Sequence, residues 1–117
     1  MERLAKFMAE SIKPLPWEIW HAKFNFERSG YKFRPVIVVS VADDMLAIMI
    51  TSKTNKLTLE NDYSIRDWKE AGLIKPSIAR IDRTLALPFN YIGTSGFIGK
   101  LTAYDKENII HIINNLS

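Results

Sequence analysis

The chain has 117 residues, a length that fits one domain able to bury about 65% of the surface its unfolded form exposes. It is 47% hydrophobic and 25% charged, with a net charge of +3 and an isoelectric point near 9.2. That balance permits an anionic partner without demanding one. With no cysteine, disulfides and thiol catalysis are excluded. The two histidines, His21 and His111, lie far apart, so no structural metal is expected and the metal assignment is none. No apolar run reaches the ~18 residues of a membrane span, and the N-terminus lacks the apolar core of a signal peptide. The expectation is a cytoplasmic protein with no membrane attachment.

In chain order, Leu4, Phe7, Met8 and Ile12 recur at helical spacing and predict a short helix over 2–12. Pro14 and Pro16 close it, giving a helical extension over 1–15 and a single domain over 16–117. Trp17 to Phe24 reads as a strand with Trp20, Ala22 and Phe24 inward. Asn25 to Lys32, with Ser29-Gly30, reads as a loop. Pro35 to Val41 is an apolar strand. Asp43-Asp44 turns the chain into a third strand, Met45 to Thr51, so the two form an antiparallel hairpin.

Residues 52–56 are polar and predict a loop, and Leu57 with Leu59 marks a short edge strand. Ser64-Ile65-Arg66-Asp67 has the spacing of a capping box, predicting a short helix to Ala71 capped by Gly72. Ser77 to Asp82 and Thr84 to Leu87 read as two strands, or one strand with a bend. Phe97 to Leu101 is a last strand. Thr102-Ala103-Tyr104-Asp105 caps a terminal helix with Ile109, Ile112, Ile113 and Leu116 on one stripe. Five or six short strands with local connections and one closing helix predict a mainly β fold with some α, a small and strongly bent antiparallel barrel.

Chemistry concentrates in two places. Arg28, Lys32 and Arg34 lead directly into an apolar strand, placing cations at its mouth. Arg80 and Asp82 sit two apart on a predicted strand and therefore share a face. Two arginines, a carboxylate and nearby hydroxyls point to phosphate chemistry driven by charge and positioning. An arginine pKa above ~12 makes that side chain a poor proton donor, so Arg34 and Arg80 read as electrostatic clamps converging on one pocket. Asp82 is the candidate base. His21 reads as a surface or dimer contact, and Trp17, Trp20 and Trp68 as core or interface residues.

Four blocks in order carry a family resemblance over roughly residues 17–116: Glu18 to Phe24, Arg34 to Ser40, Ile50-Thr51-Ser52, and Trp68 to Asp82. The chain resembles the PemK/MazF toxins of type II toxin–antitoxin modules. The resemblance implies an SH3-like barrel with a C-terminal helix, assembled as a homodimer. It implies a cofactor-free, metal-independent endoribonuclease that cuts single-stranded RNA at short sequences. The 2′-hydroxyl attacks, leaving a cyclic phosphate, and a cognate antitoxin blocks the RNA groove.

By position, Arg34 matches the family arginine before proline that acts at the phosphate, and Thr51 a hydroxyl contacting the same phosphate. Arg80 and Asp82 match the Arg-x-Asp pair of Kid-like members, proposed as acid and base. Arg28, Lys32, Ser52, Lys53 and Ser77 are the accompanying RNA contacts. The first loop here, Asn25 to Phe33, carries no histidine, and Trp17-Glu18 replaces the usual Gly-Asp start. Two other readings stay open: a degenerate barrel that binds RNA or protein without cleaving, and a CcdB-like toxin directed at gyrase.

Overall fold

The computed structural model describes residues 13–26, 30–52 and 59–116. The predicted helix over 2–12 lies outside them, as do Arg28, Lys53 and Leu57. The described residues form six strands: β1 (Glu18–Phe26), β2 (Gly30–Val41), β3 (Met45–Ser52), β4 (Asp62–Ser64), β5 (Ser77–Leu87) and β6 (Ile92–Lys100). A 3₁₀ turn at Phe89–Tyr91 joins β5 to β6, and helix α1 (Ala103–Asn114) ends the fold. The strands form one antiparallel sheet in the order β4-β5-β3-β2-β1-β6.

Two apolar layers lie on the two faces of this sheet. Ile19, Ile37, Ile48 and Ile50 meet Ile109 of α1 and Ile65 and Ala71 of the β4–β5 connection. On the other face, Trp20, Ala22, Val36, Val38, Met45 and Ala47 pack with Leu87, Phe89 and Ile92. The inward Trp20, Ala22 and Phe24 expected of β1 belong to this second layer. Being buried on both faces explains why β2 reads as a continuous apolar run rather than an alternating one.

β5 serves both layers. Ile48 pairs with Thr84, yet the next residue, Met49, pairs with Arg80. Ile81, Asp82 and Arg83 therefore have no counterparts on β3, and an offset of three residues is odd. Side chains alternate with period two, so the strand reverses its inward face at this point. Ala79 and Ile81 enter the first layer, while Leu85 and Leu87 enter the second. The two predicted segments are one strand with a bend.

Other boundaries differ from the sequence reading. The predicted loop over Asn25–Lys32 is mostly strand, because β1 runs to Phe26 and β2 resumes at Gly30, which takes a φ of +76°. Aromatic residues on either side of the turn favour that extension. Among the described residues the edge strand forms at Asp62–Ser64, and Leu59 lies outside it. Leu59 instead lies in a bend, where its amide donates to Asp62 Oδ2 at 3.2 Å.

The predicted helix from Ser64 to Ala71 is a run of turns. The Ser64 cap is not what satisfies the early amides. The carboxylate of Asp105, fully buried on α1, accepts from the Arg66 amide at 3.0 Å and the Asp67 amide at 2.8 Å. The Tyr63 hydroxyl donates to the same carboxylate at 2.5 Å. Burial first, and then this bond, raise the Tyr63 phenol above its ordinary 10.0. The turns close at Gly72, whose φ of +93° is left-handed and whose missing side chain lets the Ile98 carbonyl approach. In α1, Thr102 is the N-cap as read from sequence, and Ile109, Ile112 and Ile113 face the core. Leu116 lies beyond the helix and is 46% exposed, so the apolar stripe stops one position short.

Candidate active site in a forked sheet

The pairing of β2 with β3 runs from Val41↔Met45 to Val36↔Met49 and stops there. Both strands continue. β2 carries on to Gly30 alongside β1, and β3 to Ser52 alongside β5. The sheet thus forks, and Pro35 stands at the divergence with no N–H to give a ladder. One rung, Trp20–Val36–Met49–Arg80–Asp62, crosses the sheet at the base of the fork.

A cavity of about 440 Å³ occupies the fork. His21, Phe33, Arg34 and Pro35 line it from the β1–β2 arm, and Ile50, Thr51, Ser52 and Ser77 from the β3–β5 arm. Gly72 to Lys75 and Phe97-Ile98 of β6 complete the wall. Among the described residues its titratable lining consists of Arg34, Lys75 and His21, with no carboxylate. Among the described residues, no ion pair engages the exposed Arg34 guanidinium. A cleft lined by Arg34 and Lys75 is suited to a phosphate, which accepts bidentate bonds from a guanidinium.

Phe33, Ile74 and Phe97 are 54%, 90% and 52% exposed around the same opening, adding an apolar border. The Ser77 hydroxyl donates to the Lys75 carbonyl at 2.8 Å and so ties this end of the connection to β5.

Of the residues singled out in the sequence, the fork brings together Arg34, Thr51, Ser52 and Ser77. It does not take in Lys32, Arg80 or Asp82. Lys32 pairs with Phe24 further out along the β1–β2 arm. Arg80 sits across β3 from the fork, and its Nη1 lies 3.4 Å from Asp62 Oδ2. The two guanidiniums therefore do not meet in this cavity, because Arg80 belongs to β5, which lies on the far side of β3 from β2. Asp82 is turned toward Asn61, accepting from its side chain at 2.8 Å and its backbone amide at 3.0 Å. Those bonds hold the Asp82 carboxyl below its ordinary 3.8, which weakens it as a base.

The sequence reading gave no site role to Pro35, Phe33 or Phe97, and it left His21 as a surface residue. The available signal was the proline at the sixth position of β2. A residue without an N–H in an otherwise central strand marks a place where pairing ends. Among the described residues, no group of three or more His, Asp or Glu side chains is placed to hold a metal ion. Nor is any described helix long and apolar enough to cross a membrane.

A six-stranded antiparallel sheet with a C-terminal helix, and a cationic cleft opening between splayed strands, defines a class of small, mainly β domains. Residues 15–116 match the family model described as PemK-like, MazF-like toxin of type II toxin–antitoxin system, and the chain belongs to that family. Two solved structures share the fold. An endoribonuclease in complex with its cognate antitoxin from a Mycobacterial species superimposes with a TM-score of 0.66 at 17% identity, covering 86% of this chain and 91% of that one. The Mycobacterium tuberculosis toxin MazF-mt6 gives 0.64 at 23%, covering 84% and 93%. No match is found among curated protein sequences.

Proposed function

We propose that this chain is an endoribonuclease toxin that cleaves single-stranded RNA without a metal, the 2′-hydroxyl attacking to leave a cyclic phosphate and a 5′-hydroxyl. The observation that carries the reading is the fork itself: Arg34 on one arm and Thr51 on the other border a single cavity whose described lining holds no carboxylate. Such cleavage needs an in-line substrate, removal of a proton and stabilisation of charge on phosphorus. Arg34 supplies fixed positive charge to the phosphate oxygens, and Thr51 a hydroxyl donor from the opposite side. Lys75, Lys32 and Ser52 extend the phosphate path, together with Arg28 and Lys53. The exposed rings of Phe33 and Phe97 offer faces on which bases stack. Arg80, paired with Asp62, contributes to the field behind β3 and braces the base of the fork.

Family membership and the antitoxin-bound structural neighbour support a cognate antitoxin as the controlling partner. The reading includes a homodimer acting in the cytoplasm. The test is incubation of purified protein with defined single-stranded RNAs in EDTA, mapping of the new 5′ ends, and chemical identification of the 3′ termini. Cleavage with cyclic phosphate termini is expected. Salt-dependent binding without cleavage would establish the degenerate barrel instead. Growth arrest with intact transcripts would establish a gyrase-directed toxin.

A further inference from the structure

We propose that Gly99 is a positioning residue of this site: its bare Cα lets the β4–β5 connection close onto β6, and that contact sets the gap across the fork between Arg34 and Thr51. The role rests on the endoribonuclease reading above and names what holds its geometry. Arg34 lies two residues beyond Val36, Thr51 lies two beyond Met49, and Val36 pairs with Met49. Alternation therefore puts both side chains on one face of the sheet, with the open fork between them.

Each arm of the fork carries one edge of the sheet. On the first arm β2 pairs with β1, and β1 with β6, where Trp20 meets Phe97 and Ile19 meets Gly99. On the second arm β3 pairs with β5, and the β4–β5 connection enters β5 at Ser77, opposite Ser52. The β2–β3 ladder joins the arms at their base. The connection joins them again by reaching across to β6, so the two edges of the sheet meet where Ala71-Gly72 lies on Ile98-Gly99.

That meeting is backbone on backbone. A methyl group at Gly99 would fall on the Ala71 carbonyl oxygen, 2.8 Å from its carbon and 3.4 Å from the Gly72 Cα. These nearest atoms are all main chain, so no side chain can turn aside and the connection itself has to lift. Unlike Gly72, Gly99 has no left-handed φ, so the contact alone excludes a side chain. Lifting the connection displaces Leu73 to Lys75 from the cavity wall and swings the second arm, with Thr51, away from Arg34. The start of α1 reinforces the contact. The chain leaves β6 for α1 through Leu101, and the Thr102 hydroxyl donates to Asp67 Oδ2 of the connection at 2.7 Å.

The experiment is single-turnover cleavage of a short single-stranded RNA at saturating protein, below the melting range of every variant, with Gly99→Ala made in the wild-type and the Thr51→Val backgrounds. In the wild-type background Gly99→Ala is expected to slow the step about 10–10²-fold while RNA binding stays within about threefold. In the Thr51→Val background it is expected to cost less than about threefold, because the donor it displaces is already gone. Equal losses in the two backgrounds, or a Gly99→Ala rate within about threefold of wild type, would overturn the role while leaving the endoribonuclease reading intact. Should Gly99→Ala not fold, Thr102→Ala carries the same test through the Asp67 bond. A loss confined to the wild-type background and recovered in Thr102→Ser supports the role, and equal losses overturn it. A wild-type protein inert on RNA would overturn the reading itself, and this role with it.

Discussion

Arg34 and Thr51 border the same cavity from strands that stop pairing two residues earlier, at Val36 and Met49. The gap between them is therefore a built feature of the sheet and not a surface dent. Its two walls are each held by a separate ladder, β1–β2 on one side and β3–β5 on the other. Rigid walls matter because a preorganised donor costs no rearrangement when charge develops.

Arg34→Ala is predicted to reduce cleavage by about 10²–10³-fold, the effect of removing one preorganised donor. The side chain is exposed, so the thermal midpoint should stay within a few degrees of wild type. Rate measurements paired with a melting curve check both halves. A large rate loss that came with unfolding would count against the assignment.

Thr51→Val keeps the shape of the side chain and removes the hydroxyl. A hydrogen bond to a charged group contributes about 1.5–3 kcal/mol, so a loss of about 10–10²-fold is expected in the cleavage rate. Thr51→Ser should retain most of the activity. An inactive Ser variant would show that the methyl packing, not the hydroxyl, matters.

Asp105→Asn should destabilise the fold by about 1–3 kcal/mol, because one amide side chain cannot accept from Tyr63, Arg66 and Asp67 together. The expected drop in thermal midpoint is about 4–8 °C per kcal/mol. Since the Asp105 bonds fix the connection that includes Gly72 to Lys75, cleavage should weaken at temperatures where the variant is still folded. Calorimetry beside an activity-versus-temperature curve tests this.

Gly72→Ala meets two penalties at once, a left-handed φ and a collision with the Ile98 carbonyl. The loss should exceed ~1 kcal/mol. Gly30→Ala also sits at a positive φ but has open space around it, so its smaller cost isolates the backbone contribution. Equal melting temperatures for the two variants would contradict the contact at Ile98.

Stability should fall at both ends of the pH range. The Tyr63 pKa is raised in the folded chain, so its contribution is complete below the ordinary 10.0 and is lost as pH rises through the folded value. Tyr63→Phe should flatten that alkaline decline. Asp82 and Asp67 are lowered, by Asn61 and by Arg66 with Thr102, so their contributions are complete above 3.8 and are lost on acidification. Urea midpoints measured from pH 3 to 11 for wild type, Tyr63→Phe and Asn61→Ala would reveal each limb.

What the sequence made legible was local. The β2–β3 hairpin follows from apolar runs around Asp43-Asp44, and the α1 cap from the four residues Thr102 to Asp105. The bend in β5 was visible as an interruption between Asp82 and Thr84. The fork was not visible, because the end of a ladder between two strands that both continue is a relation across the sheet. Arg34 and Thr51 could be named, but not that the strand order would put Arg80 on the other side of β3. The turn at Ser64 misread as a helix start for a similar reason: the acceptor of its amides, Asp105, lies 39 residues beyond Arg66. Spacing rules see neighbours within four positions and cannot weigh such a competitor.

The odd offset in β5 has a consequence for how this gene can drift. Deleting or inserting a single codon within 81–83 would turn Leu85 and Leu87 outward and present Thr84 and Ala86 to the interior. A two-codon change would restore their orientation. Length variation at this point should therefore come in pairs, and a lone indel should yield a polypeptide that cannot close its second apolar layer.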